Sequence, residues 1–243
     1  MSHVSPDIVK EFAPTGTLRA AINQGNTVLA QKSPNGEALG ITVDLARELA
    51  GRLGLPIELI TFDAAGKVFE ALKRGVWDIA FLAVEPVRAA EIDFTAPYVL
   101  IEGTYMVPKD SPLQKIEDVD RAGIRIAAAT GSAYDLYLSR TTKNATLVRA
   151  PTGPEAIAMF VRDKLEACGG VKQPLVEFAA RNPGVRVMDG RFMAIQQAMG
   201  MPKGRAKAHA YLKDFVEEMK ANGFCAEALK RSNQPDAVVA PKA

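Results

Sequence analysis

Soft and nitrogen ligands are scarce in this chain, which has two cysteines, Cys168 and Cys225, and two histidines, His3 and His209. Neither cysteine stands in a CxxC pair, so no metal cluster is readable and no metal or other cofactor is implied. The thiols are far apart in sequence and leave one disulfide or two structural thiols. The second is the expectation, because free cysteine is usually buried. A dominant charge is lacking as well. The formal net charge is +2 and no Lys/Arg tract stands out, so nucleic acid finds no electrostatic footprint. No apolar run reaches the ~18 residues of a membrane span. The opening residues, Met1 to Asp7, hold no basic segment followed by an apolar one. The expectation is either a chain that stays in the cytoplasm or one whose leader was replaced by a start codon. No phosphate loop of the GxxxxGK[ST] type is present.

What is present is an ordinary globular composition, with 48% hydrophobic and 24% charged residues. At 243 residues the chain is long for one small core, so one large or two modest domains are expected. Residues 17–22 read as a strand that ends in the polar loop Asn23-Gln24-Gly25-Asn26. An apolar stripe at helical spacing covers 43–53 and stops at Gly54. A strand at 56–60 and a helix at 66–74 follow, the latter closed by Gly75. Strands alternating with helices of about ten residues indicate a parallel sheet with crossover helices.

The central stretch runs from Trp77 to Tyr98. Residues 79–84 form a buried strand. Pro86 stops it, since proline has no N–H for the ladder. Arg88 follows in a short turn, where its fork can meet a carboxylate bidentately; the plainer reading is a surface salt bridge with Glu91 or Asp93. Pro97-Tyr98 reads as a second breaker. Beyond it a new βα series begins: strand 124–129, the loop Thr130-Gly131-Ser132, a helix from Ala133, strand 146–149, helix 154–163, strand 165–171, helix 174–181 and strand 185–188. Residues 192–201 are apolar and extended, helices cover 206–222 and 224–231, and the tail from Ser232 reads as loose. The chain is thus read as two α/β lobes.

The motifs fall in the order Gly40-x-x-x-Asp44-Leu45, Gly75-x-x-Asp78, Pro86-x-Arg88, Asp93-Phe94-x-x-Pro97-Tyr98, Gly131-Ser132 and Pro202-Lys203-Gly204. In that order and spacing the chain resembles the extracellular solute-binding protein family 3, the polar amino-acid receptors of ABC transporters, from about Thr17 to Leu229. The resemblance implies an α/β type 2 periplasmic-binding fold that closes over a ligand by hinge motion. One lobe would comprise 1–98 with 199–243 and the other 99–198, with hinge crossovers at about 98–103 and 192–198. It implies that Arg88 grips the ligand carboxylate, helped by the backbone at Ala83 and Glu85. Thr130, Gly131, Ser132 and Ala133 would offer N–H groups at a helix start, an anion site that physics supports independently; simple helix capping is the plainer role. Asn23, Asn26, Thr152, Lys172 and Gln173 complete the expected ligand set.

The sequence departs from the family in three places. The first two loops, Gln24-Gly25-Asn26 and Asp63-Ala64-Ala65, lack the usual aromatic side chain. Val171, with Lys172 and Gln173 beside it, stands where an aspartate meets the α-amine. Glu85 replaces the threonine before the proline. Turned inward, Glu85 would replace the missing anion; turned outward, the commoner outcome, it would be a solvated charge. These departures point away from a standard α-amino acid and toward a small carboxylate such as a di- or oxo-acid, with Arg88 at one end and Lys172 or Gln173 near the other. The expectation is a monomeric, non-enzymatic binding protein that delivers a small anionic or zwitterionic solute to ABC transporter membrane subunits. The family implies the periplasm; the missing leader leaves a cytosolic sensor or scavenger open. The enzymatic alternative is a dehydratase-like protein on the same fold, with Glu85 or Glu166 as the acid.

Overall fold

The structure is a computed structural model that describes residues 4–234 and 237–243. His3 and Pro235, which entered the reading of the metal ligands and of the tail, lie outside the described residues. The chain divides into two compact units, Met1–Leu100 with Gln196–Ala243, and Ile101–Ile195.

The first unit opens with helix α1 (Pro6–Phe12), strand β1 (Leu18–Asn23), a small hairpin of β2 (Gln31–Lys32) and β3 (Ala38–Leu39), and helix α2 (Ile41–Leu53). Strand β4 (Ile57–Phe62), helix α3 (Ala65–Leu72), strand β5 (Ile79–Ala83) and the one-turn helix α4 (Pro86–Ala89) follow. β1 lies between β4 and β5, parallel to both. All five residues of β5 are buried, as expected of an uninterrupted apolar run at the centre of a parallel sheet. α2 forms because its apolar positions recur at helical spacing, and it buries Val43, Leu45, Leu49 and Leu53 on one face. It ends where Gly54 takes a left-handed conformation (φ 65°) and its N–H returns to Ala50 and Gly51. Trp77, fully buried, satisfies its indole N–H on the Val68 carbonyl at 2.8 Å.

Strand β6 (Ile92–Pro108) carries the chain from the first unit into the second. There, β7 (Arg125–Ala129), α5 (Ala133–Thr141), β8 (Thr146–Ala150), α6 (Gly153–Arg162), β9 (Ala167–Val171), α7 (Lys172–Arg181) and β10 (Val185–Val187) follow. β7 runs parallel to β8 and β9, while β6 is antiparallel to β9 through Gly103 to Met106. β11 (Met193–Pro202) returns the chain to the first unit, where it pairs antiparallel with β5. Helices α8 (Ala206–Ala221) and α9 (Phe224–Arg231) and strand β12 (Val238–Val239) complete that unit.

Three sequence expectations are corrected. Pro97 does not break the chain; β6 passes straight through it. Side chains serve the backbone there: Thr95 Oγ1 accepts the Met199 N–H, and Lys220 Nζ donates to the Pro97 carbonyl. Among the described residues the end of the tail, 238–241, is anchored rather than loose. Val238 and Val239 pair with Leu100 and Val99 of β6, Ala240 N–H donates to Tyr98, and Lys220 donates to Pro241. Glu166 does not lie within a buried strand. It precedes β9, is about one-third exposed, and is held by Arg125. The cysteines are two free, buried thiols, each pushed up to about 12 by burial.

Candidate functional site

Open α/β sheets offer ligands the carboxyl ends of their parallel strands, because the loops there are free of the ladder. In the first unit, Asn23 to Asn26 leave the end of β1, and Ala83, Glu85 and Arg88 leave the end of its parallel neighbour β5. The fold thus brings these residues to one edge. The first loop is internally braced. Asn23 Oδ1 accepts the Gly25 N–H at 3.0 Å, and Asn26 Oδ1 accepts the Val28 N–H at 3.3 Å. Gly25 is required by close approach, since a Cβ there would stand 2.2 Å from the Asp63 carbonyl oxygen of the neighbouring loop.

Pro86 starts α4, where its lost N–H has no consequence. Glu85 is the N-cap and Arg88 the third helical residue, and the Arg88 N–H donates to the Glu85 carbonyl at 2.9 Å. One turn therefore places both side chains together. Both are buried, Glu85 at 3% and Arg88 at 1% exposure. A solvated Glu85 is thereby excluded, as is a surface role for Arg88; the Glu91 carboxylate lies instead 4.0 Å from Lys73. Arg88 donates to the Ala83 carbonyl at 3.0 Å. Burial pushes its guanidinium down to about 10, and the neighbouring Glu85 carboxylate opposes that shift. A dry cation beside a dry anion is costly to assemble unless each serves the other or a ligand.

In the second unit, Thr130 to Ala133 leave β7, Thr152 leaves β8, and Lys172 and Gln173 leave β9. These strands are parallel, so the residues again share one edge. The Thr130-Gly131-Ser132 loop is occupied from within. Thr130 N–H donates to Ala150 at 2.9 Å and Ser132 N–H to Ala129 at 3.1 Å. Gly131 N–H donates to the Asp135 carboxylate at 2.9 Å, and Ser132 Oγ caps α5 by accepting the Asp135 N–H at 3.0 Å. Asp135 is also held by Arg149 at 2.8 Å. Capping is thus the geometry of this loop, and the N–H groups of Thr130, Gly131 and Ser132, offered for an anion, are engaged. Thr152 caps α6 in the same way, with Glu155 as its partner.

Lys172 opens α7 with its Nζ 2.8 Å from Glu102, which also receives Arg191 at 3.1 Å. The Lys172 hydrogen bond leads in holding the Glu102 carboxylate below its ordinary pKa. Gln173, partly buried, has its carbonyl oxygen Oε1 buried without a hydrogen-bond partner. Two contributors escaped the sequence reading. Asp135 carried a signal: an acid three residues after an N-cap serine. Glu102 carried none. Glu166, a candidate acid, stands beside the start of β7 and so at the opposite edge from Thr130. Among the described residues no group of histidines, cysteines and acids could hold a metal.

Relatives agree with this architecture. The amino-acid-binding protein AabA of Dichelobacter nodosus is 23% identical over 208 residues, covering 83% of this chain and 81% of its own. The solute receptor for L-cysteine of Neisseria gonorrhoeae superposes with a TM-score of 0.81 at 21% identity, covering 94% of both chains. An ancestral amino-acid-binding protein, AncCDT-1, described as a precursor of cyclohexadienyl dehydratase, gives 0.76 at 23% identity over 92% of this chain and 98% of its own. These likenesses establish the type 2 periplasmic-binding fold. Residues 18–233 match the bacterial extracellular solute-binding proteins, family 3, and the chain belongs to that family.

Proposed function

We propose that this chain is the solute receptor of an ABC-type uptake system and that Arg88 holds the carboxylate of a small solute. The observation that carries the reading is the buried Arg88 guanidinium, presented by a one-turn helix at the carboxyl edge of a parallel sheet. A permanently charged planar fork suits bidentate capture of a carboxylate. β6 and β11 serve as the two crossovers, and closure about them is the signal delivered to the transporter's membrane subunits. Val171, an apolar residue, stands where an amine partner is needed, so a plain α-amino acid is not held there in the family's usual way. The receptor acts outside the cytoplasmic membrane, as its family does, and works as a monomer without a cofactor.

Calorimetry against α-amino acids and organic acids tests the reading. Arg88→Lys keeps the charge but loses the fork. It should weaken the best solute by about tenfold or more with the thermal transition retained. Unchanged affinity in this variant overturns the Arg88 grip. The enzymatic reading keeps one candidate acid, Glu85, since Glu166 is committed to Arg125. A prephenate turnover assay separates it; turnover abolished by Glu85→Gln would favour the enzyme.

A further inference from the structure

The crossover strand β6 is held on both sides of a single residue. Toward the first unit, Val238 and Val239 of β12 pair with Leu100 and Val99, and the Ala240 N–H donates to the Tyr98 carbonyl at 3.0 Å. The Lys220 ammonium, 5% exposed, donates to the Pro97 carbonyl at 3.2 Å and to the Pro241 carbonyl at 2.9 Å. A desolvated charge needs such acceptors, so this one group of α8 ties down β6 and the segment that pairs with it. Toward the second unit, Glu102 is held by Lys172 at 2.8 Å and by Arg191 at 3.1 Å. Gly103 follows, opposite Val171 of β9, and its carbonyl accepts the Phe192 N–H at 2.9 Å. The division between the units falls after Leu100. Ile101 therefore separates the residue that β12 fixes to the first unit from the residue that charge fixes to the second.

The return strand β11 has a longer interval. Phe192 is tied to Gly103 in the second unit, and the Gln196 carbonyl accepts the Val84 N–H at 2.9 Å in the first. Residues 193–195 lie between these holds. Of the two crossovers, β6 thus has the shorter span over which backbone angles can change. Hinges work by letting a few residues absorb a change of φ and ψ, and each residue added to that span brings freedom that closure must remove. What shortens the span in β6 is the pairing with β12. That segment lies beyond residues 18–233, which match the family.

We propose that residues 237–243 are a hinge collar, a conformational device that confines the turning of β6 to Ile101 and narrows the range of arrangements the receptor samples without solute. The inference rests on the reading of β6 and β11 as crossovers and adds the element that sets their stiffness. A receptor with a narrower solute-free ensemble gives up less freedom on closing. The collar thereby raises affinity without touching the solute.

The test needs one label on each unit. Glu70→Cys on α3 and Ala158→Cys on α6 place both at exposed helical positions, while the native thiols are buried. Pulsed dipolar spectroscopy of the spin-labelled full chain reads the distribution of distances between the labels. Deleting residues 237–243 frees Val99 and Leu100 along with Ile101. The solute-free distribution should then widen by roughly 1.5- to 2-fold, because spread grows with the square root of the freed length. Ala240→Pro, which removes the N–H on the Tyr98 carbonyl, should widen it less and serves if the deletion does not fold. Glu102→Gln, which loosens the other hold, should also widen it. An unchanged width in the folded deletion, or in Ala240→Pro where that variant stands in for it, overturns the collar and leaves the crossover reading standing. Adding the best-bound member of the amino-acid and organic-acid panel should shift the wild-type distances. Distances that stay fixed while that solute binds overturn the closure reading and this inference with it.

Discussion

Arg19 and Asp78 stand in the first unit where Arg125 and Glu166 stand in the second. In each case an arginine at the start of the central strand grips an acid just ahead of a parallel neighbour, and also donates to a nearby carbonyl. Arg19 takes Asp78 with Nε at 2.9 Å and the Gly75 carbonyl at 2.7 Å. Arg125 takes Glu166 with Nε at 2.9 Å and the Lys164 carbonyl at 2.8 Å. The residue whose carbonyl accepts is left-handed in both units, Gly75 at φ 62° and Lys164 at φ 49°. The difference is solvent. Asp78 is fully buried and shared with Arg205, whereas Glu166 is one-third exposed. The same clasp is therefore structural in one unit and marginal in the other, because water screens an exposed pair and cannot reach a buried one.

The largest test of that contrast pairs Asp78→Asn with Glu166→Gln in urea denaturation. The first leaves two arginines without their buried counter-charge and should cost about 3–5 kcal/mol; the second should cost less than about 1 kcal/mol. Equal losses would erase the distinction. Next come the left-handed residues. Gly75→Ala forces a side chain into that conformation and should cost about 1–2 kcal/mol. Lys164→Gly relieves the same strain and should gain about 0.5 kcal/mol after the added freedom of the unfolded chain is subtracted. A third test concerns the dry interior of the first unit. The Tyr98 hydroxyl is buried and has no hydrogen-bond partner. Tyr98→Phe should thus be neutral or raise stability by up to about 1 kcal/mol, read from the melting temperature. The smallest effect is pH dependence in the second unit. Hydrogen bonds from Arg125 hold the Glu166 carboxyl below its ordinary 4.5. A lowered folded-state pKa means that the stabilisation is fully present above 4.5 and is lost as pH falls through the lowered value. Melting curves of wild type and Glu166→Gln should converge on acidification.

Local signals were readable and distant ones were not. The α2 stripe and its Gly54 stop, and the apolar run of β5, declare themselves because neighbours in sequence decide them. Ser132 and Asp135 form a helix-start pattern that was legible, although only the fold places the Asp135 oxygen on Gly131. The inward turn of Glu85 was not legible, since packing around a single helical turn decides which way a side chain faces. Glu102 was invisible because its partner Lys172 is 70 residues away. Pro97 misled because a proline breaks a strand only when the ladder needs its N–H. Side chains of Thr95 and Lys220 make other arrangements here.

The chain end clipped along β6 has a consequence for the order of folding. The second unit is one uninterrupted stretch, so all its strands can find each other as soon as they have been synthesised. The first unit cannot be finished so early. Its Val99 rung waits for Val239, and the Lys220 ammonium waits for Pro241. Contacts of such sequence separation form slowly, because a long loop must close before they reward it. The last strand added is thus a closing stitch. A chain stalled before it would carry a complete second unit and a first unit still open at β6.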